Sequence, residues 1–290
     1  MSSPTNPHRE QPNTYFVQDR SNQNEMTRLQ IQDQMLTAKM RGVLPEQPDL
    51  KIFKRVLDIG CGTGGWLIEA AKTYPSMSVL VGVDVNSQML EYARTQATAQ
   101  GVGDRVQFQA MDALLMLEVP ASYFDLVNQR LGISYLRTWD WPKLLSEYLR
   151  VTTPGGVIRI TEAEPMTVST SPALTTLCSL FLQALHQAGH LFTPSPDGLT
   201  SKLANMMGRY GLKNVQTRAY PLEYRAGTAD GQYFYEDEKN FFRNIVPFLR
   251  KWTRVPDDYE IIYQQMLVEM QQPDFVATWN LLTAWGTKLT

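Results

Sequence analysis

The chain has 290 residues, 43% of them hydrophobic and 19% charged, a size and balance that fit one large globular domain with additions. A net charge of −2 with no run of Lys and Arg excludes a protein built mainly to neutralise nucleic-acid phosphates. No stretch of about 18 apolar residues reads as a membrane span. Met1 to Asn13 lacks the apolar centre of a signal peptide, and Cys61 and Cys178 read as reduced thiols, so a cytoplasmic setting is expected.

Residues 1–13 are polar and proline-rich and are expected to be disordered. Tyr15-Phe16-Val17 is an apolar island. Met26, Leu29, Ile31, Met35, Leu36 and Met40 then recur at roughly helical spacing until Gly42 and Pro45, so residues 14–50 read as a helical lid. From 51 to 165 strand and helix signals alternate, as in a parallel sheet covered on both faces. Strands are expected at Arg55–Ile59, Ser78–Asp84, Arg105–Gln109, Phe124–Gln129 and Gly156–Thr161, the last opened by a Pro154-Gly155-Gly156 turn. Helices are expected at Trp66–Thr73, Ser87–Gln100 and Trp141–Val151. Helices at 172–189 and 197–210 form a substrate-side segment over 166–212. The stretch 213–290 supplies strands at Lys213–Tyr220 and Trp279–Leu289 around an aromatic-rich helical cap at 231–272, jointed at Pro247 and Pro256.

Val56-Leu57-Asp58-Ile59-Gly60-Cys61-Gly62-Thr63-Gly64-Gly65 is a glycine-rich turn between a buried strand and a helix. Such a turn brings backbone N–H groups close to a ligand that a Cβ would exclude. Gly60, Gly62 and Gly65 also satisfy the dinucleotide pattern G-x-G-x-x-G, so the glycines alone fit two cofactors. Charge separates them. Asp58 would oppose a pyrophosphate but suits a ligand carrying an ammonium and a sulfonium. Asp84, ending Val81-Gly82-Val83-Asp84, is placed to accept from ribose hydroxyls, or to cap the next helix. Asp112, in Ala110-Met111-Asp112-Ala113, can accept from an adenine amino group or be a plain loop acid. Cys61 reads as a small filler.

In order, these motifs resemble the class I S-adenosylmethionine-dependent methyltransferases, over roughly residues 52–165 and again at the terminal strands. The resemblance is to the small-molecule group, which includes quinone-biosynthesis and secondary-metabolite enzymes. It rests on Asp58 to Gly64, Asp84, Asp112, Phe124-Asp125-Leu126-Val127-Asn128 and Thr153-Pro154-Gly155-Gly156-Val157. It implies an α/β, Rossmann-like seven-stranded sheet, mostly parallel with an antiparallel last strand, helices on both faces and a helical cap. It also implies that S-adenosyl-L-methionine, leaving as S-adenosyl-L-homocysteine, is held by Asp58, Gly60, Cys61, Gly62, Asp84, Val85, Met89, Met111, Asp112, Ala113 and Asn128.

Methyl transfer needs alignment and water exclusion, and a base only where the acceptor must lose a proton. Asn128-Gln129-Arg130-Leu131 lacks the prolines of amino-methylating nucleic-acid enzymes. No Asp adjoins Asn128 to hold a divalent ion, and neither cysteine follows a proline, so neither nucleic acid nor metal is expected. Arg130 is a candidate clamp for an acceptor carboxylate or phosphate, or the partner of a nearby acid. Glu162 and Glu164 leave the fifth strand at the rim, as bases, amine holders or solvated loop acids. His186, spaced i, i+4 from His190 on one helical face, could form a metal pair with it or act as a base, but no third ligand is suggested, and the other reading is a plain surface or core histidine. Tyr15 and Phe16 either close over the sulfonium or staple the first helix. The expected function is methyl transfer to O, N or C of a small, partly apolar metabolite or natural product. The alternatives are a donor-binding relative with a cyclising or regulatory role, and an NAD(P)-dependent oxidoreductase. A small-molecule acceptor is the expected partner, and a homodimer is compatible with the sequence.

Overall fold

The structure, a computed structural model, describes residues 15–17 and 23–289. The disorder expected over 1–13 concerns residues outside that range. Seven strands form one sheet in the order β3-β2-β1-β4-β5-β7-β6: β1 (Arg55–Ile59), β2 (Val79–Asp84), β3 (Val106–Ala110), β4 (Phe124–Arg130), β5 (Thr152–Ser169), β6 (Lys213–Arg225) and β7 (Val276–Thr287). The first five run parallel, and β7 inserts antiparallel between β5 and β6.

Continuous apolar runs such as Val56-Leu57 and Leu126-Val127 are what a sheet buried on both faces requires. Alternate residues feed separate cores. Val56, Leu80, Phe108 and Leu126 pack with α2 (Gly65–Thr73) and α3 (Ser87–Ala99) on one face. Leu57, Val83, Val127 and Ile158 pack on the other with α4 (Trp141–Val151) and α5 (Pro172–Gln187). The strand order reverses between β1 and β4, which opens a crevice at their carboxyl ends, where ligands of open α/β sheets bind.

Over that crevice lie α1 (Gln23–Lys39) and α7 (Ala229–Asn244), followed by α8 (Val246–Trp252) and α9 (Tyr259–Glu269) before β7; α6 (Thr200–Arg209) leads into β6. Helix α1 packs on α7 through charges as well as apolar contact: Arg28 reaches Asp237 at 2.9 Å and Lys39 reaches Asp230 at 2.6 Å.

Several expected boundaries move: β5 begins at Thr152, so the Pro154-Gly155-Gly156 turn lies within it, and β7 begins at Val276 instead of Trp279. Strand β5 runs to Ser169 instead of stopping at Thr161, because β7 pairs with it on both sides of an irregularity between Ala163 and Thr167. Glu162, Glu164 and Pro165 break the apolar pattern there and hide the continuation. Strand β6 likewise extends to Arg225, its exposed residues held by the β7 ladder.

Candidate functional site

The turn after β1 is built by three left-handed residues, Gly60, Gly62 and Gly64, with φ of +65°, +52° and +76°. At Gly60 a Cβ would sit 2.7 Å from the Tyr135 hydroxyl, so only glycine fits both the conformation and the space. Asp84, at the carboxyl end of β2, binds across to this turn. Its carboxylate accepts from Gly62 N at 3.0 Å and from Asn86 N at 2.8 Å. The helix cap expected as its other role belongs to Asn86, whose side chain accepts from Gln88 N and Met89 N. Asp112 follows β3 and accepts from Leu114 N at 2.8 Å.

One cavity of about 490 Å³ collects these groups. Asp58, Gly60, Cys61, Gly62, Asp84, Val85, Met89, Met111, Asp112 and Ala113 all line it, as do Arg130 and Tyr15. Three residues named from sequence do not. Asn128 is fully buried beneath Asp58, to which it donates at 2.7 Å, and it accepts from Arg159 Nη1 at 2.8 Å. Asp58, Asn128 and Arg159 are register partners across β1, β4 and β5, so their side chains share one face, and Glu46 closes the row on Arg159 at 2.5 Å. Burial pushes the Asp58 carboxyl up to about 7, against the pull of Arg130 and of the Asn128 hydrogen bond.

The second is Glu162. It is neither at a rim nor solvated: it lies inside β5, fully buried, accepting from Gln129 Nε2 (2.8 Å), Gly132 N (2.8 Å) and Ile133 N (2.9 Å). It pins the turn after β4, and burial lifts its carboxyl to about 8. Its neighbour Glu164 does line the cavity, held by Asn280 Nδ2 at 3.1 Å. The third is His186, which sits in the last turn of α5 away from the cavity lining. Helix α5 ends at Gln187 and Gly189 turns the chain with φ +84°, so His190 does not share its helical face. His190 is buried beside Phe248, and desolvation lowers its pKa to about 3, leaving the ring neutral.

Arg130 pairs with Asp33 of α1, and a Cβ at Gly65 would run into that same Asp33 carboxylate. The glycine at this position thus admits α1 against the turn. Neither cysteine is a thiolate: desolvation raises the Cys61 thiol well above its ordinary value and Cys178 to about 12.

The far wall comes from the cap. Arg28, buried to 2% exposure, donates to Glu25 and Asp237; Glu25 also accepts from Tyr15 Oη at 2.8 Å and Asn244 Nδ2 at 3.0 Å. Burial works to raise the Glu25 carboxyl, but Arg28 and these hydrogen bonds outweigh it and hold it below its ordinary range. Tyr15 stacks on Phe16 at 5.0 Å, and Phe16 meets Phe181 and Phe241 edge-on at 5.5 and 5.7 Å. Arg28, Asp33, Tyr135, Phe181, Asp237 and Glu238 all line the cavity and were not singled out from sequence. The one local hint was Asp237-Glu238, two acids inside an aromatic run. Among the described residues, no group of three His, Cys, Asp or Glu could hold a metal ion.

Residues 56–156 match a family described as Methyltransferase domain. This stretch is a methyltransferase domain. The demethylmenaquinone methyltransferase of Lactiplantibacillus plantarum is 37% identical over 100 residues, 34% of this chain and 41% of that enzyme. The 27-O-demethylrifamycin SV methyltransferase of Amycolatopsis mediterranei is 25% identical over 251 residues, 87% of this chain and 77% of that enzyme. The match to the first of these curated relatives thus spans well under half of its length. Among solved structures, the YcgJ protein from Bacillus subtilis aligns over 90% of this chain and 98% of its own at 18% identity, with a TM-score of 0.53. The shared fold therefore extends beyond the domain match to nearly the whole chain. The family resemblance and the seven-stranded sheet implied by the motifs are both borne out.

Proposed function

We propose that the chain is an S-adenosylmethionine-dependent methyltransferase that acts on a small, partly apolar metabolite or natural product at O, N or C. One observation carries this reading. Within the methyltransferase domain, three carboxylates at the ends of β1, β2 and β3 (Asp58, Asp84 and Asp112) converge on one cavity beside a left-handed glycine turn. Such a set of acids suits a ribose, an adenine amino group and an ammonium, and opposes a pyrophosphate.

When bound, the donor supplies an electrophilic methyl on a sulfonium and a neutral thioether leaving group. The chain's own residues would do the rest. Asp84 is aimed from a strand end where it accepts from hydroxyls while bracing the turn through Gly62 N. Asp112, fixed by its own turn, offers an acceptor beside Met111 and Ala113. Asp58, with Asn128 holding one oxygen, would ionise against a bound ammonium. Phe16, Phe181 and Phe241 keep water from the acceptor half. The cap, including α1, acts as a lid in this reading. No helix among the described residues is long and apolar enough to cross a membrane. A cytoplasmic setting and a small-molecule partner belong to the same proposal.

Calorimetric titration with S-adenosylhomocysteine and with NAD tests the donor. Micromolar binding of the first and none of the second is expected; the reverse would overturn the reading. Transfer of a labelled methyl group to a fractionated metabolite extract tests the reaction, and donor binding without transfer would favour a regulatory role.

A further inference from the structure

Deep in the acceptor half, the cap presents an acid with no counterpart. Glu238 lines the cavity and is 8% exposed, yet among the described residues it makes no hydrogen bond and no ion pair. Its neighbour on α7 differs sharply: Asp237 takes Arg28 Nη1 at 2.9 Å and Gln32 Nε2 at 3.1 Å. The charge count around the pair is one-sided. From α1 come Glu25 and Arg28; α7 adds Asp237 and Glu238, so a single guanidinium faces three carboxyls. The remaining groups facing Glu238 are a thiol on α5, Cys178, which burial keeps protonated, and a phenol on β6, Tyr224, whose acidity burial also suppresses. None supplies a cation. A nine-tenths buried carboxyl left without a partner is costly unless a ligand completes it.

Resting on the methyl-transfer reading above, we propose that Glu238 is the acceptor anchor of this cavity and that the acceptor is an amine bearing at least one N–H. The amine enters as its ammonium and pairs with the Glu238 carboxylate, while Phe181, Phe241 and Phe242 enclose its apolar part. For transfer the ammonium gives one proton to Glu238, freeing the nitrogen lone pair. The nitrogen then bonds the methyl carbon as the carbon–sulfur bond of the donor breaks, yielding a methylated ammonium and the neutral thioether. The carboxyl returns its proton to solvent in the next cycle.

Burial holds the empty Glu238 carboxyl up at about 8, so it is protonated near neutral pH. Pairing with an ammonium must therefore expel a proton. The full chain, saturated with S-adenosylhomocysteine, is titrated near neutral pH with tetrahydroisoquinoline and with its uncharged oxygen counterpart isochroman, in two buffers of different ionisation enthalpy. The amine should bind at least about ten-fold more tightly than the ether and release about one proton per site. Glu238→Gln should abolish both the preference and the release while S-adenosylhomocysteine still binds. Equal affinity for the two compounds, or amine binding without proton release, overturns the proposal in the unsubstituted chain even if the variant fails to fold. Loss of S-adenosylhomocysteine binding in the unsubstituted chain would instead overturn the donor reading beneath it, so the two failures are separable.

Discussion

The two walls of the cavity are made in opposite ways. The sheet wall is assembled from strand ends: Asp58, Asp84 and Asp112 each follow an apolar run, and backbone donors of the adjoining turns fix two of them. The cap wall is assembled from residues far apart in the chain, Tyr15, Arg28, Phe181 and Asp237, joined by one buried charge cluster and one set of edge-on rings. The first wall is a local motif repeated along a sheet, and strand geometry alone places it. The second exists only once α1, α5 and α7 have met. A donor common to many enzymes suits the first arrangement, and an acceptor particular to one suits the second.

If that contrast is right, the largest effect of a single substitution should come from the cap. Arg28→Ala leaves Glu25 and Asp237 buried and uncompensated, and should cost about 3–5 kcal/mol of stability by denaturant unfolding. A cost below about 1 kcal/mol would mean that the cluster is hydrated and the cap loose. On the sheet wall, Gly60→Ala forces a left-handed alanine against Tyr135 and should cost about 1–3 kcal/mol. Adding Tyr135→Phe should recover part of that cost, and no recovery would show that the backbone conformation alone sets it. Asp84→Ala should weaken S-adenosylhomocysteine binding by about 10–100-fold, the worth of hydrogen bonds to a charged group, and leave cap stability nearly unchanged. An equal loss from a cap substitution would erase the distinction between the walls.

A pH slope accompanies these effects. Asp58, Glu162 and Glu238 are raised in the fold to about 7, 8 and 8, above the range they hold when unfolded. Between pH about 4 and 8 the native state thus keeps protons that the unfolded chain releases, so stability falls as pH rises. His190, lowered in the fold to about 3, opposes this slope below its ordinary value, but three raised carboxyls outnumber it, so the melting temperature of the ligand-free protein should drop across that window. A rise would show that these carboxyls are ionised in the fold. Donor affinity should move the other way, increasing as Asp58 ionises.

Legibility in the sequence followed the same division. The sheet wall was readable because a strand, a turn and an acid lie within ten consecutive residues at Val56–Gly65, and period and turn chemistry are local signals. Glu162 and Asn128 were misplaced for one reason: strand-end positions were expected to face the ligand, whereas the ladder turns these two side chains into the protein. Glu238 went unnoticed because its meaning depends on a partner that Asp237 has and it lacks, and pairing of that kind is set only by the packing of α1 on α7.

The polar row Glu46–Arg159–Asn128–Asp58 has a consequence for how the sheet assembles. Side chains on a strand alternate between faces, so sliding β4 by one residue would turn Asn128 to the opposite face. Asp58 and Arg159 would then both be buried without the amide that joins them, at a cost of several kcal/mol. Apolar neighbours such as Leu126 and Val127 would notice the slip far less, since both faces of β4 are greasy. The row is therefore a proofreading device: it rejects misaligned strands in a stretch of sheet where hydrophobic patterning cannot.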